Sequence, residues 1–284
     1  MSEKYDVNWA GTEKYRLPQD WALSGNNRSA GRRKIAYPEG ETVEWYGFVR
    51  HNFAIEGHAA FIVEPPNPAP GLPWSWCVQW AEAFVPRTPA LKLLERGFHH
   101  VHIDVFDTYM NCEGIRILEK FYQLLQDLGF AAQAALIGMS YGGLFSFRWA
   151  AEHPETVAAI YADAPVCDLA FEFVGTGMAE LSASEMARRA KAYGVSGKTE
   201  LFEHPLSPLN RYTEIAQAQI PIFCIRNGQD QSVVPEKNID IFADRLRQAG
   251  GLIEILNRPA YGHHPHGLDD PQLLVDFILQ HYCY

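Results

Sequence analysis

From Val43 onward, short apolar runs alternate with amphipathic stretches along the chain. VEWYGFVR (43–50) and HAAFIVEP (58–65) carry the β-branched and aromatic residues of strands, the second stopping at Pro65-Pro66. PNPAPGLP (66–73) reads as a loop and WSWCV (74–78) as a short buried strand. Strands and helices then take turns. ALKLLERG (90–97) and GIRILEKFYQLLQDLG (114–129) have apolar residues at helical spacing, and each ends on a glycine suited to a helix C-terminus. FHHVHIDVF (98–106), AQAALIGM (132–139), VAAIYAD (157–163), IPIFCIRN (220–227) and GLIEILNR (251–258) read as strands. GGLFSFRWAAEH (142–153), a segment opened by Pro235 and running to Leu246, and DPQLLVDFILQHY (270–282) read as helices, the last with Asp270 as N-cap and Pro271 at the first helical position. Such alternation implies a mostly parallel sheet with helices on both faces.

Two regions fall outside the alternation. Residues 1–42 are polar and rich in Gly, Asn and Arg, which suggests an extension lying on a domain that spans 43–284. Residues 168–208 contain a helical stretch, GTGMAELSASEMARRAKAYGV (175–195), with no strand partner. It is expected to be a small helical lid over one end of the sheet, or else a surface excursion without a role at the site.

The candidate chemistry sits in the connections. Gly138-Met139-Ser140-Tyr141-Gly142 matches G-x-S-x-G at a strand-to-helix turn, where small residues let strand and helix approach while the serine hydroxyl projects outward. The pattern by itself is common, but the strand before it and the helix after it make it specific. A serine becomes a nucleophile when a histidine takes its proton and an acid orients that histidine. The histidine is expected after the last strand, in RPAYGHHPHGLDDP (258–271), with His263 first choice and His264 second. The acid is expected after the preceding strand, at Asp230 in NGQDQSVVPEKN (227–238); Asp163, at the end of VAAIYAD, is the alternative. Oxyanion donors are expected from the Tyr141 amide and from Cys77 or Val78. Cys77 lacks the turn that would make it a nucleophile. Trp74, Trp76 and Tyr141 are either a stacking surface for a sugar or aryl group or part of the core. His99, His100 and His102 lie on or beside a strand and read as structural.

Composition narrows the classes. The formal net charge is −10, which disfavours nucleic acid and anionic membranes as partners; one basic cluster, Arg28, Arg32, Arg33 and Lys34, reads as solvated surface. Five widely spaced cysteines without a CxxC pair point to neither a disulfide framework nor a zinc site. Pro265 interrupts the histidine cluster, so neither a metal nor another cofactor is expected. The first twenty residues lack a basic start followed by an apolar stretch, and no run is long enough to cross a bilayer, so a cytoplasmic location is expected.

Taken together, APGLPWSWC, LLERGFHHVHIDV, GMSYGGLF, IYADAPVCD, IPIFCIRNGQDQSVVPEKN and GHHPHGLDDP resemble the α/β-hydrolase superfamily. More narrowly, the chain from about Val43 is similar to bacterial small hydrolases described as prolyl-oligopeptidase-like, esterase-like or "sialidase". The resemblance implies the α/β-hydrolase fold, with Ser140 as nucleophile, Asp230 as acid and His263 as base. It implies a small-molecule or carbohydrate ester as substrate. The "sialidase" label finds no support, since glycosidases use paired carboxylates or a tyrosine. An arginine usual in the family is replaced here by Cys77. The expected activity is serine-dependent ester hydrolysis, with a peptidase or amidase using the same triad, or a non-catalytic binding protein of the same fold, as rivals. The lack of an accompanying propeller domain favours esters.

Overall fold

A computed structural model describes residues 6–7, 35–174 and 178–282. Among the described residues ten strands form one sheet: β1 (Asp6–Val7), β2 (Glu41–Trp45), β3 (Phe48–Ile55), β4 (His58–Glu64), β5 (Trp74–Gln79), β6 (His99–Ile103), β7 (Ala134–Met139), β8 (Val157–Asp163), β9 (Ile222–Asn227) and β10 (Ile253–Arg258). The same residues hold eight α-helices: α1 (Ala90–Glu95), α2 (Cys112–Leu128), α3 (Tyr141–Glu152), α4 (Ala179–Tyr193), α5 (Lys198–Phe202), α6 (Tyr212–Gln217), α7 (Ile239–Gln248) and α8 (Gln272–His281). The strand order is β1-β10-β9-β8-β7-β5-β6-β4-β3-β2. From β10 to β6 every pair is parallel, while β2, β3 and β4 form an antiparallel meander at one edge and β1 pairs antiparallel at the other.

The parallel strands are buried on both faces, so their side chains divide between two cores. Leu136, Ile160 and Ile222 pack with α2, α3 and α7, whereas Ile137, Tyr161 and Phe223 pack with α1 and α8. This explains why β7 and β8 read as unbroken apolar runs. The chain passes from β5 outward to β6 and then returns to place β7 on the other side of β5. Ligands of such sheets bind beyond the strand carboxyl ends at this reversal. Trp80 directly follows β5, and Ser140 directly follows β7.

Several local expectations shift. VEWYGFVR is a hairpin rather than one strand, because Tyr46 and Gly47 both adopt positive φ. Pro235 opens a 3-10 turn, and the α-helix starts only at Ile239. Asn238 breaks the two apart, accepting a hydrogen bond from the Cys167 amide (3.0 Å) and donating one to the Val234 carbonyl (3.1 Å). Pro271, not Asp270, is the capping position of α8, although the Asp270 carboxylate accepts from the Gln272 amide at 3.1 Å. Most of the 1–42 extension, including Arg28, Arg32, Arg33 and Lys34, lies outside the described residues. Among the described residues no helix is long and apolar enough to cross a membrane.

Candidate active site

The turn between β7 and α3 is built for close approach. A Cβ on Gly138 would lie 2.6 Å from Ser146 Oγ and 2.7 Å from the Gly142 carbonyl oxygen, and one on Gly143 would lie 2.2 Å from Pro165 Cβ. Ser140, between them, holds φ 52° and ψ −119°, a conformation that L side chains rarely occupy. Three backbone hydrogen bonds pin it: its amide donates to the Asp163 carbonyl (3.0 Å), and its own carbonyl accepts from Gly143 (2.9 Å) and Val166 (2.9 Å). The hydroxyl is thereby directed out of the turn, at the positive N-terminal end of α3.

His263 and Asp230 meet it there. His263 Nε2 lies 3.0 Å from Ser140 Oγ, and His263 Nδ1 lies 2.6 Å from Asp230 Oδ2. The other carboxylate oxygen of Asp230 accepts from the amides of Ser232 (2.8 Å) and Val233 (2.9 Å), so the acid is fixed before the histidine reaches it. Since a carboxylate at neutral pH accepts only, Nδ1 carries the imidazole proton and Nε2 is left to accept from the serine.

The alternatives occupy other positions. Asp163 is fully buried and holds the histidine loop rather than His263: Oδ1 accepts from His266 Nδ1 (2.9 Å), and Oδ2 accepts from the Gly267 amide (2.7 Å) and the Tyr161 hydroxyl (2.8 Å). Arg258 adds a buried ion pair at 3.8 Å. His264 stacks on Phe84, with ring centroids 5.4 Å apart, and lines the cavity in front of Ser140 without entering the Ser140–His263–Asp230 chain. His266, two residues beyond His264 and directly before Gly267, is the structural partner of Asp163, and its place in the same loop is the only mark of it in the sequence. Among the described residues no group of three or more His, Cys, Asp and Glu is arranged to hold a metal.

The oxyanion expectation for Cys77 needs correction. β5 continues to Gln79, with a register irregularity against β7 between Cys77 and Gln79, so Cys77 and Val78 remain inside the sheet. Trp80 is the residue that emerges, with φ 65°. Among the described residues, no backbone carbonyl accepts from the amide of Trp80 or of Tyr141. Burial pushes the Cys77 thiol up to about 12, and Sγ donates to the Gln79 carbonyl at 3.2 Å. Iodoacetamide near neutral pH is therefore expected to leave Cys77 unmodified in the folded protein and to modify it after denaturation, as read by peptide mass mapping.

Trp74 and Trp76 are fully buried core residues. Trp76 packs edge-on against Trp149 (5.2 Å), and Trp74 donates to the Ala131 carbonyl (2.8 Å). Neither is placed to stack on a ligand. His99, His100 and His102 are structural contacts of the sheet, bonded to Tyr37 (3.1 Å), Ser75 (2.9 Å) and the Cys77 carbonyl (2.8 Å) respectively.

In front of Ser140 lies a cavity of about 490 Å³ with largely apolar walls. Phe173, Met178, Leu181 and Glu185 supply one side of it, so the 168–208 segment, carrying α4 and α5, forms a wall of the cavity. A buried polar cluster joins this wall to the turn at Ser140. Arg189 on α4 donates to the Tyr141 hydroxyl and to the Phe171 carbonyl (2.5 Å), and the Tyr141 and Tyr109 hydroxyls donate to Glu185 Oε2 (3.2 and 3.1 Å). Arg189 is 1% exposed. Arg189→Met leaves buried acceptors unmatched and is expected to destabilise the protein by roughly 2–4 kcal/mol, read as a lower midpoint of urea unfolding.

Comparisons with known proteins agree with this architecture. A model of the prolyl oligopeptidase family matches residues 120–282, and a model of the α/β hydrolase fold matches residues 40–187. Among solved structures, the acylaminoacyl peptidase of Pyrococcus horikoshii is similar at a TM-score of 0.58 and 14% identity, covering 81% of this chain and 40% of its own. Dipeptidyl peptidase 4 of Porphyromonas gingivalis is similar at 0.57 and 18%, covering 79% and 34%. MPT51 (FbpC1) of Mycobacterium tuberculosis is similar at 0.61 and 17%, covering 79% and 94%. The chain thus spans well under half of the two peptidase chains. No curated protein matches it by sequence.

Proposed function

The chain belongs to the α/β-hydrolase superfamily, and on that premise we propose that it hydrolyses carboxylic esters through an acyl-enzyme on Ser140. The observation that carries this reading is the unbroken chain Ser140 Oγ–His263–Asp230, 3.0 and 2.6 Å, at the strand carboxyl ends and open to an apolar cavity. His263 Nε2 takes the serine proton as Oγ attacks the acyl carbon. Asp230 holds the opposite ring nitrogen and stabilises the imidazolium. The tetrahedral oxyanion faces the Tyr141 and Trp80 amides, which no backbone carbonyl of the described residues occupies. His263 then protonates the leaving alcohol, and a water activated by the same imidazole releases the acid. No cofactor enters these steps. The apolar walls suit an acyl chain better than an extended peptide, whose backbone would bring amides with few partners.

The second reading is a peptidase, favoured by the prolyl oligopeptidase match over residues 120–282. Short 4-nitrophenyl esters and aminoacyl 4-nitroanilides of the same acyl group separate the two. Faster turnover of the ester, beyond the intrinsic difference in reactivity, supports the esterase; an anilide preference overturns it. Failure to cleave either, with no labelling by a fluorophosphonate, overturns catalysis altogether. A small-molecule substrate and a cytoplasmic setting complete the proposal.

A further inference from the structure

The rings that line the cavity at Ser140 fall into two groups by contact. In the first, Phe84 stacks on His264 (ring centroids 5.4 Å apart) and meets His266 edge-on (5.4 Å), and His263 meets both histidines at 4.7 and 4.8 Å. In the second, Phe106 packs against Trp80 (5.2 Å) and edge-on against Tyr141 (5.4 Å), and Tyr141 in turn meets Phe173 (6.3 Å). An ester at Ser140 has two halves, and the reaction assigns one to each group. His263 must hand its proton to the departing alcohol oxygen, so the alcohol leaves on the Phe84 and His264 side. The acyl group extends the other way, toward Phe106, Tyr141 and Phe173.

We propose that this acyl group is an aliphatic chain of medium length, about six to ten carbons, and that Leu181 and Met178 of the 168–208 segment set its length. The inference rests on the esterase reading for its reaction, and on the walls of the cavity for its ligand.

Helix α4 carries the acyl-side wall from the serine outward. Leu181 and Glu185 are four residues apart, so they share one face of the helix and stand about 6 Å apart along its axis. Glu185 is 7% exposed and accepts from the Tyr141 hydroxyl (3.2 Å), next to the nucleophile turn, whereas Leu181 is 43% exposed. Leu181 therefore marks the rim, and Met178, at the start of α4, lines the cavity beside it. Apolar side chains left at a rim gain from a flexible chain that reaches them, and a thioether adapts to its shape. The cavity of about 490 Å³ is far larger than an acetyl group fills.

The charges on this path are already matched. Among the described residues that line the cavity, Glu185 is the one carboxylate: Oε2 accepts from the Tyr109 and Tyr141 hydroxyls, and Oε1 pairs with Arg188 at 2.5 Å. Burial and the neighbouring His263 hold His264 below its ordinary value, so it is uncharged at neutral pH. An acyl group bearing an ammonium or a carboxylate would lose water here without gaining a partner. An alkyl chain loses nothing. In the reaction, the Ser140 Oγ–acyl bond forms, the acyl–O bond to the alcohol breaks, and His263 gives its proton to the departing oxygen.

Two isomeric esters test which half carries the chain: methyl octanoate has it on the acyl group, heptyl acetate on the alcohol. Methyl octanoate is expected to show the higher kcat/KM, by about tenfold, and 4-nitrophenyl esters to gain about two- to fourfold per methylene from acetate to octanoate. Leu181→Ser is expected to lower the octanoate-to-acetate ratio of kcat/KM about three- to tenfold, mainly through KM. Met178→Ser is expected to act in the same direction and covers the case in which Leu181→Ser does not fold. Methyl octanoate is expected to bind the Ser140→Ala protein in saturation-transfer NMR, with a weaker signal in the Leu181→Ser background. A preference for heptyl acetate, a preference for 4-nitrophenyl benzoate over the octanoate, a ratio unchanged by both variants, or absence of methyl octanoate binding would each overturn the proposal. Octanoyl 4-nitroanilide cleaved in preference to the octanoate ester, or methyl octanoate bound without cleavage of any substrate, would refute the esterase reading while supporting the acyl site.

Discussion

Ser140→Ala is expected to lower kcat for 4-nitrophenyl acetate by about a millionfold and to abolish fluorophosphonate labelling, while the fold and its melting temperature persist. In the proposed reaction Oγ forms the acyl bond, and the strained turn holding it is fixed by the backbone. The Ser140 amide and carbonyl are both hydrogen-bonded, and Gly138 and Gly143 sit too close to their neighbours for a side chain. Alanine therefore removes Oγ and little else. A variant that retained one tenth of the wild-type rate would refute Ser140 as nucleophile. Stopped-flow release of 4-nitrophenol gives the same answer from another side, since a burst equal to the enzyme concentration reports the acyl-enzyme.

Asp230→Asn is expected to lower kcat about ten-thousandfold with a smaller change in KM, because an amide in that position favours the wrong imidazole tautomer. The amides of Ser232 and Val233 still meet an oxygen, so the loop survives and the loss is chemical. Asp163→Asn is expected to behave in the opposite way. Its carboxylate touches no reacting atom but joins His266, Gly267, Tyr161 and Arg258, so its replacement weakens a buried polar network by roughly 3–5 kcal/mol and leaves the activity of the remaining folded molecules close to wild type. pH dependence separates the two acids further. Burial acts to raise the Asp163 carboxyl, but His266, Arg258 and the Gly267 amide outweigh it and hold the group below its ordinary value. A lowered folded-state value stabilises the protein above the ordinary carboxylate range, and that contribution is lost as pH falls through the folded value. Wild-type protein is accordingly expected to lose stability on acidification below about pH 4, and Asp163→Asn to show a flatter decline, read by chemical denaturation at several pH values. Full activity in Asp230→Asn, or a kinetic defect in Asp163→Asn at unchanged stability, would reverse the two roles.

Positions set by short-range rules were readable from the chain. Alternating apolar runs and amphipathic stretches specify a parallel sheet because strands buried on both faces and helices buried on one leave different periodicities. The G-x-S-x-G turn is legible as well: a strand before it and a helix after it specify a serine whose hydroxyl projects from the turn, although Gly142 and the adjoining Gly143 answer to Gln79 and Pro165, residues distant along the chain. That acid and base stand after later strand ends follows from the order of elements.

Which acid and which histidine meet the serine was a tertiary matter. Asp163 and Asp230 both follow buried strands, and His263, His264 and His266 share one loop; side-chain direction in such loops depends on partners tens or hundreds of residues away. Asp163 turns to His266, 103 residues on, and Asp230 to His263, 33 residues on. The residue that first leaves β5 was equally hidden. An irregularity between β5 and β7 carries the strand to Gln79 and makes Trp80, not Cys77, the first residue outside it. Trp74 and Trp76 were ambiguous because every residue of β5 is buried, so no alternation marks a face. By itself the sequence determined the sheet, the turn and the serine, since those follow from periodicity and from the order strand, G-x-S-x-G, helix. Only the tertiary structure decided which partners reach that serine and which walls surround it, since those depend on contacts between strand ends and loops far apart along the chain.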